Sequence, residues 1–87
     1  MDIFFNKKLK ELRKEKSLTQ KQLAEILEVS TTCYAGYEQG YREPDFKTLK
    51  KICLFFDVSA DYLLGLEDET GSKTYHNFGI HNGNVKF

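Results

Sequence analysis

The stretch Leu18–Gly40, LTQKQLAEILEVSTTCYAGYEQG, constrains this chain more than any other, because its helix signals follow one another so closely. Thr19 followed by Gln22 matches a capping box, in which the Thr hydroxyl and the Gln side chain satisfy backbone donors that a first helical turn leaves without partners. A helix therefore starts there, shows one apolar face through Leu23, Ala24 and Leu27, and ends near Glu28, since Ser30 is the next N-cap. The following helix runs from Thr31 to about Gln39, turns Tyr34 and Tyr37 inward, and meets Gly40 where a left-handed C-terminal cap belongs. Two helices joined by so tight a turn must cross closely and steeply. Ala24 is small at the crossing for that reason, as a larger side chain would push the second helix out of position.

The same punctuation divides the chain on either side. Phe5, Leu9 and Leu12 recur at helical spacing with lysines and Arg13 between them, which predicts an amphipathic helix over Phe5–Lys16. After the break at Glu43-Pro44, Asp45 caps a fourth helix whose core face is Phe46, Leu49, Ile52, Cys53 and Phe56. Ser59 caps a brief fifth helix that carries Tyr62, Leu63 and Leu64 and stops at Gly65. Five short helices on short turns predict an all-α bundle over residues 1–66, and a chain of 87 residues leaves no room for a second full core.

Residues 67–74, EDETGSKT, lose the helical spacing and are expected to form a linker. Beyond it, Asn82-Gly83 favours a two-residue turn, which over residues 75–87 predicts a short C-terminal β-hairpin with Ile80 opposite Val85 and Phe78 opposite Phe87. Such a hairpin is marginal alone. Its apolar face needs something to pack on, and pairing two hairpins across a two-fold axis would make this segment a dimerisation element.

Composition removes several classes of function. No Ser/His/Asp order, glycine-rich phosphate loop or paired carboxylate stands out, so the chain is expected not to be an enzyme and to need no cofactor. Cys33 and Cys53 have no CxxC spacing and are read as small buried hydrophobes, and His76 and His81 are read as surface residues, with no metal site expected. No apolar run suits a signal peptide or a bilayer span, which makes a reducing cytoplasm the expected setting. The formal net charge is zero, but residues 1–51 hold eleven Lys and Arg against eight Asp and Glu, and the remainder two against five. The basic run Lys7–Lys16 reads as a solvated helix face.

TQKQLAEILEVS, YEQG, REP and VSADYLLG, in this order, resemble the phage-repressor and Cro-like helix-turn-helix family over roughly residues 5–66. The resemblance implies a five-helix DNA-binding domain with its third helix in the major groove, commonly a homodimer on a two-half-site operator, and a bacterial or phage-encoded regulator acting at the nucleoid. It implies that Gln20 grips a phosphate, that Thr31, Thr32 and Gly36 occupy the outward positions of the recognition helix, and that Tyr41 and Arg42 touch phosphate. It also implies that Arg13 and Glu38 form a pair tying the first helix to the third.

Three residues depart from the family pattern. Glu28 stands where Gly is usual in the turn, a strained choice at positive φ that gives the turn reason to be reshaped. Tyr34 replaces a smaller aliphatic side chain, and Gly36 replaces a long polar or basic one, which removes bidentate guanine readout from that position. The expected function is sequence-specific binding of double-stranded DNA as a transcriptional regulator, most naturally a repressor. The alternative is a protein-interaction module, an antitoxin or adaptor, on the same fold.

Overall fold

The computed structural model describes residues 3–67, which form five helices: α1 (Ile3–Glu15), α2 (Gln20–Leu27), α3 (Thr31–Gln39), α4 (Phe46–Phe56) and α5 (Ala60–Leu63). The all-α expectation therefore holds. The four capping residues act where the sequence places them. Thr19 accepts from the Gln22 amide at 3.0 Å while the Gln22 side chain accepts from the Thr19 amide at 2.9 Å. Ser30, Asp45 and Ser59 accept from the amides of Cys33, Thr48 and Tyr62, three residues on in each case. α1 begins at Ile3, ahead of the expected Phe5.

The ends of α2, α3 and α4 are set by left-handed residues. Gly40 takes φ 89°, but Ser17, Glu28 and Asp57 take φ values of 58°, 64° and 57° without being glycine. The turn at Glu28 is thus not reshaped. Its strain, about 1 kcal/mol, is opposed by a Schellman closure in which the Val29 amide donates to the Ala24 carbonyl at 3.0 Å. Lys51 of α4 supports the same corner, donating to Glu28 Oε1 at 2.7 Å and reaching the Leu27 carbonyl at 3.5 Å. The ammonium beside it holds the Glu28 carboxyl below its ordinary value.

α1 packs against α3 and α5, α2 against α3 and α4, and α4 against α5. All five helices feed one core: Leu9, Leu23, Tyr34, Ile52 and Leu63 each have 0% of their surface exposed. α3 sits between α1 and α2, so its position depends on both. Cys33 and Cys53 are free thiols packed partly against this core, and burial pushes the Cys53 thiol up, keeping it protonated. Phe46, expected on the core face of α4, is instead 89% exposed, because it is the first residue of the helix and the packed stripe begins at Thr48 and Leu49.

Among the described residues no helix is long and apolar enough to cross a membrane. The expected linker beyond Glu67, the C-terminal hairpin, His76 and His81 lie outside the described residues.

Candidate nucleic-acid interface

α3 begins at Thr31 and Thr32, both exposed, with the exposed Ser30 hydroxyl committed to the Cys33 amide just before them. Their hydroxyls and methyls are what the side chains of Thr31 and Thr32 offer to a partner, and α3 itself contains no Lys or Arg. Whatever it contacts, it does so as a stiffly mounted rod, because its C-terminal half is locked to both preceding helices.

The lock is built on Glu38. Arg13 Nε donates to Glu38 Oε2 at 2.7 Å and Nη2 to Oε1 at 3.2 Å, a two-pronged pair, while Nη1 donates to the Leu18 carbonyl at 2.8 Å. The Tyr34 hydroxyl donates to Oε2, and Gln20 Nε2 donates to Oε1 at 3.0 Å. The Glu38 side chain is only 3% exposed and that of Arg13 11%. Burial pushes the Glu38 carboxyl up, but hydrogen bonds from Arg13, Tyr34 and Gln20 outweigh it and hold the group below its ordinary value. The same carboxylate raises the Arg13 guanidinium, and burial with that neighbour raises the Tyr34 phenol far out of reach of titration. On the adjacent face, burial pushes the Tyr37 phenol up to about 12, and Cys33 Sγ donates to its oxygen at 3.4 Å.

Gln20, assigned a phosphate contact by resemblance, thus has its side-chain amide turned onto Glu38. At the start of α2 the Gln22 amide is taken by Thr19, which leaves the N–H groups of Gln20 and Lys21 for an anion, beside the exposed Lys21 side chain. Gly36 is buried, not open, and the stem of Arg42 lies over it. Tyr41 is 82% exposed and Arg42 is exposed, in the loop directly after the Gly40 cap. The structure therefore brings Arg13, Glu38 and Gln20 together with Tyr34, a member that sequence reading placed only in the core. Tyr34 lies one helical turn before Glu38, a spacing at which a hydroxyl reaches a carboxylate, and that was the available signal.

On α1, Lys7, Lys10 and Lys14 are exposed, as is Lys16 just after it, and Lys8 lies 5.0 Å from the centre of the Tyr62 ring while pairing with Glu11 at 3.2 Å. The Tyr62 side chain raises the Lys8 ammonium above its ordinary value against a smaller opposing effect of burial.

A family profile described as Helix-turn-helix matches residues 9–63. The chain is 45% identical over 71 residues to the uncharacterized HTH-type transcriptional regulator YqaE of Bacillus subtilis, covering 82% of this chain and 60% of that one. A transcriptional regulator from Listeria innocua has a similar structure, with a TM-score of 0.68 at 37% identity over 75% of this chain and 61% of the other. The N-terminal DNA binding domain of SinR from Bacillus subtilis aligns with a TM-score of 0.65 at 28% identity, over 72% of this chain and 93% of that domain. The chain spans about 60% of the length of YqaE, less than the whole of such a regulator. With α2, its left-handed turn at Glu28 and α3 lying inside the matched residues, the chain belongs to the phage-repressor and Cro-like, XRE-type helix-turn-helix family of transcriptional regulators.

Proposed function

We propose that the chain binds double-stranded DNA sequence-specifically in the bacterial cytoplasm and represses transcription, with α3 entering the major groove. The observation that carries this reading is the mounting of α3: its first turn exposes Thr31 and Thr32 while Glu38, near its other end, is held by Arg13, Tyr34 and Gln20. A helix fixed at one end and open at the other suits insertion into a groove about 12 Å wide. The Gln20 and Lys21 amides and the Tyr41 region would position the phosphate backbone on either side. The SinR domain, similar in fold, is described as DNA binding. Repression is assigned because occupancy of an operator suffices for it, whereas activation requires a second productive contact.

Fluorescence anisotropy on a duplex enriched by the purified protein tests the reading. The logarithm of the association constant is expected to fall with the logarithm of salt by about 0.9 for each phosphate neutralised. A flat response, or no enriched duplex at low salt, would favour the interaction module. The zero net charge and the lack of Lys and Arg in α3 are the observations on that side.

The proposal extends to a homodimer joined through residues 75–87, which would fix the separation of two α3 helices. Light scattering is expected to report a dimer for the full chain and a monomer for a chain ending at Asp68. A truncated chain that still dimerises would place the joint within the helical bundle.

A further inference from the structure

We propose that Arg42 reads a base edge in the major groove, its side chain laid along α3 by the absence of one at Gly36. This rests on the DNA-binding reading above and adds a specificity-determining residue to it.

Gly36 is buried in the middle of α3, although nothing in its helical backbone calls for glycine. The reason lies outside the helix. A Cβ at residue 36 would stand 3.0 Å from Arg42 Cγ, 3.1 Å from Cδ and 3.3 Å from Cβ, so three successive carbons of one arginine stem occupy the space a side chain would fill. The guanidinium therefore begins one bond beyond a carbon seated on α3. Residue 36 lies four positions after Thr32, on the same stripe of the helix one turn further along. Thr32 is exposed, and the stripe it starts is continued by the arginine stem.

The stem is also anchored at its root. The amides of Gly40, Tyr41 and Arg42 donate to the single carbonyl of Gly36 at 2.8, 2.9 and 3.2 Å, which fixes the Arg42 backbone over the residue its side chain covers. Gly40 at φ 89° makes that reversal, and a Cβ there would stand 2.9 Å from Asn6 Nδ2. Among the described residues no carboxylate pairs with the Arg42 guanidinium, in contrast to that of Arg13, which is consumed by Glu38. The fold thus lends the outer stripe of α3 the long cationic side chain that α3 does not carry itself. A guanidinium whose stem is already placed loses less freedom on forming the two parallel hydrogen bonds that guanine O6 and N7 accept. A phosphate contact would need neither the glycine nor the alignment with Thr32.

The test is enrichment from a random duplex pool, run side by side with the full-length wild type, Arg42→Ala and Gly36→Ala, each checked for helical content and melting temperature. The expected wild-type motif contains a guanine in each half-site whose preference over other bases falls about tenfold or more in Arg42→Ala, while preferences elsewhere in the motif persist. Gly36→Ala, which displaces the stem but keeps the arginine, is expected to weaken the same position. Arg42 is exposed, so its variant folds even if Gly36→Ala does not, and the Arg42→Ala motif alone decides. An unchanged motif with uniformly weaker binding makes Arg42 a phosphate contact and overturns the inference while leaving DNA binding intact. A wild-type protein that enriches no duplex overturns the DNA-binding reading and this inference with it.

Discussion

Arg13→Met is expected to lower the stability of the domain by about 3 kcal/mol, read as a shift of the urea midpoint at neutral pH. The substitution keeps most of the side-chain volume and removes the guanidinium paired with Glu38, a carboxylate with 3% of its side chain exposed. The cost arises from leaving that charge buried with only Tyr34 and Gln20 as donors, and from freeing the Leu18 carbonyl that Arg13 also holds. Replacing both partners, Arg13→Met with Glu38→Leu, is expected to recover at least half of the loss, since an apolar pair carries no uncompensated charge. A single-substitution cost below about 1 kcal/mol would class the contact with surface ion pairs and sink the view that it mounts α3.

Acid supplies an independent reading of the same group. The Glu38 carboxyl is held below its ordinary value of 4.5, so the folded state binds its proton less readily than the unfolded state does. Its contribution is fully present above 4.5 and is lost as pH falls through the lower, folded value. Glu28 beside Lys51 and Asp45 capping α4 are lowered too and add to the same acid limb. Stability of the wild type is therefore expected to fall on acidification below that point, and less steeply in the Arg13→Met/Glu38→Leu protein, which has lost the Glu38 share.

What could be read from the chain was whatever is decided within one helical turn. Thr19, Ser30, Asp45 and Ser59 cap amides three residues ahead, so residue type and a following helical pattern sufficed to place four helix starts. The core stripe of α1 followed from spacing alone. Gln20 shows the opposite case: its polar amide at a helix start suits an anion, but its partner Glu38 lies eighteen residues on, and only the packing of α2 against α3 brings them together. Gly36 is similar. The family resemblance implied an outward residue there, and its burial depends on the path of the Arg42 stem across the Gly40 cap. Glu28 could be flagged as strained, yet the groups that steady it belong to α4 and to the Val29 amide, and their convergence is tertiary. Phe46 failed because a spacing rule gives no weight to a helix's first residue, which has no preceding turn to cover it.

The crossing of α2 and α3 yields the second large effect. Ala24 is 1% exposed on the helix that packs against α3, and a leucine there adds three carbons to a close-packed interior. Ala24→Leu is expected to destabilise by about 2 to 3 kcal/mol through overpacking. The functional consequence separates this site from an ordinary core position. Relief of the clash requires α2 and α3, which pack directly on one another, to shift relative to each other. Such a shift changes the angle between Thr31 and Thr32 and the start of α2. Affinity for the enriched duplex is then expected to drop by more than the unfolded fraction explains, whereas Leu9→Ala, a cavity on α1 with comparable or greater cost, should leave the affinity of the folded fraction nearly unchanged. Equal losses of affinity in the two variants, once corrected for folding, would mean that the crossing does not aim the recognition helix and that the small residue at position 24 serves packing alone.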